Sequence, residues 1–249
     1  MTTATKTAHD LHANWVRMHE QLTAADTIID LGCGARPIAG ATVAVDAFTG
    51  TEQRGLGWRS SIDPAALEAR GIHFVQQRID VALPFDDNEF DFAYSSHVFE
   101  HLDDPETACL EMMRVARAGA IRTPSVFAEV AFGRPYHKWM VMDGDDELFF
   151  FEKTAYDFGP FGEPLGSATE DGFEVTPHTT PFDIALNAGD WYRGDEDFGT
   201  LRERLRWHYH AHSPVIEVIF LWRDEFRCQV IRNRQSAKPD LPTWMPGLP

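Results

Sequence analysis

Between Ile28 and Asp46 the chain reads IIDLGCGARPIAGATVAVD, and no other stretch restricts the fold as much. A short apolar run that ends in an acid and then Gly-x-Gly marks a buried strand whose chain turns sharply at its carboxyl end. A second apolar run ends in Asp46, only 16 positions after Asp30. Subtracting that strand leaves roughly six residues for the crossover, less than two helical turns at about 3.6 residues per turn. A pyrophosphate site would want a third glycine opening a long helix whose N-terminus faces the anion. Position 36 is Arg instead, and Pro37 follows. The dinucleotide reading loses its main device; a ligand with a ribose and a positive charge but no phosphates fits better.

The text around this loop alternates strands and helices. Thr27 to Leu31 and Ala41 to Val45 read as short buried strands, IHFVQQ as a third and FDFAYSS as a fourth. Asp63-Pro64 before AALEAR is a helix start, with the acid as N-cap and proline in the first turn. DDPETACLEMMRVARAG reads as a helix with Cys109, Met112, Met113 and Ala116 on its apolar face and Gly119 just past its end. AIRTPS follows as strand five. Before them, Leu11, Trp15, Met18 and Leu22 lie at helical spacing between Ala8 and Leu22. The pattern predicts an α/β fold with a doubly wound, Rossmann-like, mostly parallel sheet.

After strand five the alternation stops. KWMVMDGDDELFFFEK predicts a β-hairpin around an Asp-Gly turn. A loop-rich stretch from about Tyr156 to Gly199 follows, then a helical TLRERLRWHYH and closing strands VIEVIFLW and FRCQVIR. The expected organisation is an N-terminal cap helix over 1–24, a ligand-binding core over 25–125, a substrate-covering hairpin with closing helix and strands over 126–235, and a proline-rich tail over 236–249. The second half is thus an irregular C-terminal α+β extension.

The net charge of −17 repels phosphate backbones and anionic membranes, and no basic patch offsets it, so neither nucleic acid nor membrane is an expected partner. Three cysteines, far apart and without CxxC spacing, point to neither a disulfide framework nor structural zinc. No stretch approaches the roughly 18 apolar residues of a membrane span, and a cytoplasmic location is expected.

Four motifs in register, DLGCG, VAVD, RIDVALPF and FDFAYSSHVFEHLDDP, together with RVARAGAIRTPS, resemble those of class I S-adenosylmethionine-dependent methyltransferases over roughly Thr27 to Ser125, in a variant with a shortened first crossover. The resemblance implies S-adenosyl-L-methionine as cofactor and S-adenosyl-L-homocysteine as product. It implies that Asp30, with Gly32 and Gly34, meets the methionine part, that Asp46 holds the ribose hydroxyls, and that Asp80 accepts from the adenine amino group, with Val81 beside it. Ser95, in the motif after strand four, joins the expected cofactor residues. Arg36 could pair with the methionine carboxylate or with surface acids.

A methyl acceptor that must lose a proton needs a base, and histidines are the candidates. His97 and His101 lie at i, i+4 beyond strand four, and His137 lies in GRPYHKW after strand five. Beside His137, Tyr136 and Trp139 could stack on an acceptor, and Arg134 or Lys138 could bind a carboxylate. The HYHAH run (His208, His210, His212) has no neighbouring acid at ligand spacing, and MDGDDE is too short for a calcium loop, so no metal is expected. The expected function is methyl transfer to the O or N of a small-molecule acceptor. Another reaction of the same cofactor, such as cyclisation or aminocarboxypropyl transfer, stays open, as does a non-catalytic binding role.

Overall fold

The computed structural model describes residues 8–50, 61–126, 128–129, 137–144, 146–153, 166–169, 172–175 and 216–232. Its main body is a six-stranded sheet built from β1 (Ile28–Leu31), β2 (Val43–Asp46), β3 (His73–Gln76), β4 (Phe92–Ser96), β5 (Ala118–Pro124) and β10 (Glu217–Arg223), in the order β10-β5-β4-β1-β2-β3. The first five are parallel, and β10 closes the edge antiparallel to β5. Strand order reverses between β1 and β4, so the ligand crevice of such a sheet lies beyond the carboxyl ends of those two strands.

Alternation along the strands sends side chains to two apolar layers. On one face α1 (Ala8–Ala24) places Met18 and Leu22 against Ile28, Phe92, Tyr94 and Ile219, and Asn14 Nδ2 donates to the Ile219 carbonyl at 3.2 Å. On the other, α3 (Pro105–Val115) packs Cys109, Met112 and Val115 against Ile29, Leu31, Ala93 and Ile121. Both predicted helix starts are present. Asp63 caps α2 (Pro64–Glu68) through the N–H groups of Ala65 and Ala66, and Asp104 caps α3 through that of Thr107. Burying these apolar layers at ~25 cal/mol per Å² is the main drive for the fold.

The expected helix stop at Gly119 is corrected. The helix α3 ends at Val115, and Gly119 lies inside β5, between Ala93 of β4 and Trp222 of β10. A Cβ there would stand 2.4 Å from the Ala93 carbonyl oxygen and 2.8 Å from the Trp222 ring, so glycine is required by close approach and not by a turn.

The predicted hairpin forms as β6 (Trp139–Asp143) and β7 (Glu147–Glu152). β11 (Arg227–Ile231) departs from the large sheet and pairs parallel to β7, giving a second sheet in the order β11-β7-β6. Trp139 and Phe150 of this sheet join the α3-side core, and an isolated bridge ties Ser125 to Val141. Part of the stretch read as loop is paired: β8 (Gly166–Thr169) and β9 (Gly172–Val175) form a two-stranded hairpin. The helix expected over TLRERLRWHYH, the HYHAH histidines and the proline-rich tail lie outside the described residues. No helix among the described residues is long and apolar enough to cross a membrane.

Gly119→Ala drives a methyl group into a backbone carbonyl at the centre of the sheet. It should cost at least ~2 kcal/mol, read as a lower urea midpoint with unchanged slope. A midpoint within experimental error of the wild type would show that β5 and β10 are not packed this closely.

Candidate active site

The Gly-x-Gly turn at the end of β1 is built by backbone bonds to its neighbour strand. The N–H groups of Gly32 and Cys33 donate to the Val45 carbonyl at 2.7 and 3.1 Å. Gly32 has φ +80, and a Cβ on it would lie 2.3 Å from Val98 Cγ2, so the position is closed to any side chain on two counts. Gly34, with φ 59, donates its N–H to Asp46 Oδ2 at 3.0 Å, while Phe48 N–H donates to Asp46 Oδ1 at 3.0 Å. The short crossover is therefore stitched to the end of β2 through the Asp46 carboxylate.

Asp30 is buried at the end of β1, and the one side-chain hydrogen bond it receives among the described residues comes from Ile38 N–H at 2.7 Å. Burial pushes its carboxyl up to about 7, the Ile38 donor opposes this, and the nearby Asp46 charge adds to it. Such a group gains from any cation brought to it. An amino group does so, and the site fits the positively charged, ribose-bearing ligand that the loop's spacing suggests.

Asp80 is engaged within the protein. Arg78 clamps it at 2.8 Å (Nε to Oδ1) and 2.5 Å (Nη2 to Oδ2), and the N–H groups of Asp103 and Asp104 also reach Oδ2. Burial opposes its charge, but the Arg78 clamp holds its carboxyl below the usual carboxylate range. Val81 beside it is 42% exposed and faces outward from the same turn. Ser95 is buried, and its hydroxyl donates to the Leu31 carbonyl at 2.7 Å, locking β4 to β1 where the crevice opens. Arg36 is exposed.

The three histidines expected to serve the acceptor converge on one carboxylate, Glu100. It sits on a single 3-10 turn, Phe99–His101, just beyond β4 and is 1% exposed. His97 Nδ1 lies 3.5 Å from Glu100 Oε1, and His101 Nε2 lies 3.8 Å from the same atom. His101 packs edge-on to His137 with ring centroids 4.7 Å apart. His137 is buried and paired through Nδ1 to Glu129, whose other oxygen accepts from Lys153 Nζ at 2.7 Å. His97 also faces Glu217 at 3.3 Å. Burial works against a charge on His97, but the contacts with Glu100 and Glu217 outweigh it and raise its pKa to about 9. The imidazolium is thereby favoured at neutral pH.

Glu217 completes a second pair with Arg122 Nη2 at 2.5 Å, and Trp15 of α1 covers the Arg122 guanidinium at 4.8 Å from the ring centroid. Burial opposes the Glu217 charge, yet His97 and Arg122 together pull its carboxyl down to about 2.

One expectation beside His137 is corrected. Trp139 is 2% exposed and donates its Nε1–H to the Leu102 carbonyl at 2.7 Å, so it is core and not a stacking surface for an acceptor. Lys138 is paired with Asp103. Tyr136 and Arg134 lie outside the described residues. Sequence reasoning missed Glu100, Arg122, Glu129 and Glu217. The signal was available, since each is an isolated charge inside a mostly apolar run (HVFEH, AIRTP, FAEVAF, VIEVIF), and such a charge is buried only when it is paired.

Residues 29–122, from β1 to the middle of β5, match the family model of a methyltransferase domain. The match spans 94 of the 249 residues and makes this segment similar to a methyltransferase domain. Such a domain takes S-adenosylmethionine as its cofactor, and Asp30, Gly32, Gly34 and Asp46 of the site all lie within it. Solved structures similar to the chain include an S-adenosylmethionine-dependent methyltransferase from Mesorhizobium loti, at 21% identity over 59% of this chain and 65% of that one, with a TM-score of 0.36. The YcgJ protein from Bacillus subtilis matches at 20% identity over 46% and 51%, with a TM-score of 0.35. A methyltransferase from Aquifex aeolicus matches at 16% identity over 49% and 75%, with a TM-score of 0.32. The chain spans about half the length of several structures it resembles. No curated protein matches it.

The raised Asp30 carboxyl has a stability signature. Unfolded, it releases its proton near 3.8; folded, near 7. The ligand-free domain therefore loses stability as pH rises through that window, on the order of 4 kcal/mol at about 1.4 kcal/mol per tenfold change in proton affinity. Asp30→Asn keeps the acceptor for Ile38 and removes the charge. Its stability relative to wild type, measured by urea unfolding, should be near zero at pH 4 and clearly positive at pH 8. A difference that stays flat across that range would contradict the burial argument.

Proposed function

We propose that the protein transfers the methyl group of S-adenosylmethionine to the O or N of a small-molecule acceptor. The observation that carries this reading is the Asp30 carboxylate, buried without a counter-charge beside the Gly32–Gly34 turn of a methyltransferase domain. S-adenosylmethionine, when bound, supplies a methyl carbon already activated by its sulfonium and leaves as S-adenosylhomocysteine.

The chain's own residues then position and exclude. Asp30 receives the cationic amino group, and Gly32 and Gly34 let the backbone approach without Cβ interference. Asp46, pinned by Gly34 and Phe48, is oriented to accept from the ribose hydroxyls. Val81, exposed at the end of its turn, covers the adenine, with Asp80 shaping that turn through Arg78. Ser95 fixes the spacing of β1 and β4. On the acceptor side, His97, charged between Glu100 and Glu217, holds the loop closed, while His101 and His137 form the polar edge against which an acceptor would be oriented. Positioning of this kind is the larger part of catalysis for a displacement at an activated carbon. The net charge of −17 favours a neutral or cationic acceptor over nucleic acid.

Incubating the protein with S-adenosylmethionine and a panel of small amines, phenols and carboxylates should yield S-adenosylhomocysteine together with a methylated acceptor. His137→Ala should lower that turnover by about 10²-fold through lost positioning of the acceptor while leaving S-adenosylhomocysteine affinity within about twofold. Release of methylthioadenosine in place of S-adenosylhomocysteine would assign another reaction of the same cofactor. Binding without any product would leave a non-catalytic protein.

A further inference from the structure

We propose that Glu100, His101 and His137 form a binding site for a divalent first-row transition metal ion of the zinc type. One ligand atom from each of the three lies within 4.8 Å of the others. Two imidazoles and a carboxylate suit zinc, iron(II) or manganese, and a set of three protein ligands leaves at least one coordination position for a water or an acceptor oxygen.

Two further observations point to a cation here. The first is Glu100 itself. It is 1% exposed, and neither carboxylate oxygen has a hydrogen-bond partner among the described residues. A carboxylate withdrawn from water normally receives several donors, and leaving it without them is costly. His101 Nε2 stands 3.8 Å from Oε1, beyond hydrogen-bond contact yet close enough to share an ion, while His97 approaches the same oxygen at 3.5 Å from outside the set. The second is the support behind His137. Its Nδ1 is held by Glu129, which Lys153 anchors in turn, with side-chain exposures of 2% for Glu129 and 3% for Lys153. A carboxylate on one ring nitrogen that presents the other to a metal is the arrangement that fixes tautomer and ring orientation in metal-ligating histidines. With Nδ1 so engaged, Nε2 of His137 is the nitrogen that would ligate.

The distances need only modest closure. Ligand atoms about 2.1 Å from a tetrahedral ion stand about 3.4 Å apart, so the cluster contracts by about an ångström or so. The elements allow it. His101 and Glu100 share one short turn, and that turn is fixed to the segment leading from His137 into β6 by Lys138 N–H to the Glu100 carbonyl at 2.7 Å and Trp139 Nε1–H to the Leu102 carbonyl at 2.7 Å. His97 stays outside the set, tied to Glu217.

This site stands whether or not the methyl-transfer reading does; if both hold, His101 and His137 orient the acceptor through the ion. The test is titration of chelator-treated full-length protein with zinc against a chromophoric chelator, with S-adenosylhomocysteine binding followed separately. The expected result is one zinc per chain at submicromolar affinity. His101→Ala and His137→Ala should weaken it at least 100-fold, and Glu129→Gln by 10- to 100-fold. Replacing His208, His210 and His212 together with Ala should change nothing. X-ray absorption of the zinc-loaded wild type should count two imidazoles, which keeps the test decisive if a variant fails to fold. No zinc at one equivalent, affinity unchanged in both histidine variants, loss in the His208/His210/His212 variant, or a different imidazole count would each overturn the proposal. Failure of S-adenosylhomocysteine to bind would count against the methyl-transfer reading alone.

Discussion

Two carboxylates buried at the carboxyl ends of adjacent parallel strands are the constraint around which this domain is arranged. Asp30 and Asp46 repel one another, and backbone N–H groups bind both, from Gly34 and Phe48 for Asp46 and from Ile38 for Asp30. That use of the backbone explains the shortened crossover. This terse loop turns the Gly34 and Ile38 N–H groups back onto the strand-end carboxylates. The domain thus holds negative charge at its switch point and forgoes folding stability to do so. A cationic, ribose-bearing ligand recovers part of that cost on binding.

A second centre of buried charge lies beyond β4, and the later part of the chain is organised about it. Glu100 is surrounded by His97, His101 and His137, and Glu217, Arg122 and Glu129 stand behind them. These residues come from the turn after β4, β5, the stretch after it, the segment leading into β6, and β10, so the second sheet and the antiparallel edge strand help to bring the cluster together. Arg122 and Glu217 face each other across β5 and β10 in register with Ile219 and Pro124. Trp15 on α1 caps that pair, so the N-terminal helix reaches the polar cluster as well as the apolar face of the sheet.

Much of the first half was legible in the sequence because strand-end chemistry is local. DLGCG and VAVD each announce a strand, its end and an acid within five residues, and Asp63-Pro64 and Asp104-Pro105 announce helix starts. Gly119 misled because glycine just past an apolar helical run is the usual stop, while here a Trp222 ring from a strand some hundred positions later demands it. The same non-locality hid the partners of the histidines. His97, His101 and His137 could be picked out by type and spacing, but that all three surround Glu100 depends on β6 packing beside a 3-10 turn. Nothing in local periodicity encodes that contact. The isolated charges in HVFEH, AIRTP, FAEVAF and VIEVIF were the available hint, because a lone charge in an apolar run must find a partner when it is buried.

The measurement that tests the central claim most directly is calorimetric titration of the purified protein with S-adenosylhomocysteine, alongside Asp46→Ala. One site per chain with an affinity on the order of micromolar, weakened at least tenfold in the variant, is the result this account requires. A flat titration of the wild type, or equal affinity in the variant, would mean that the strand-end carboxylates do not hold this nucleoside and that the methyl-transfer reading fails.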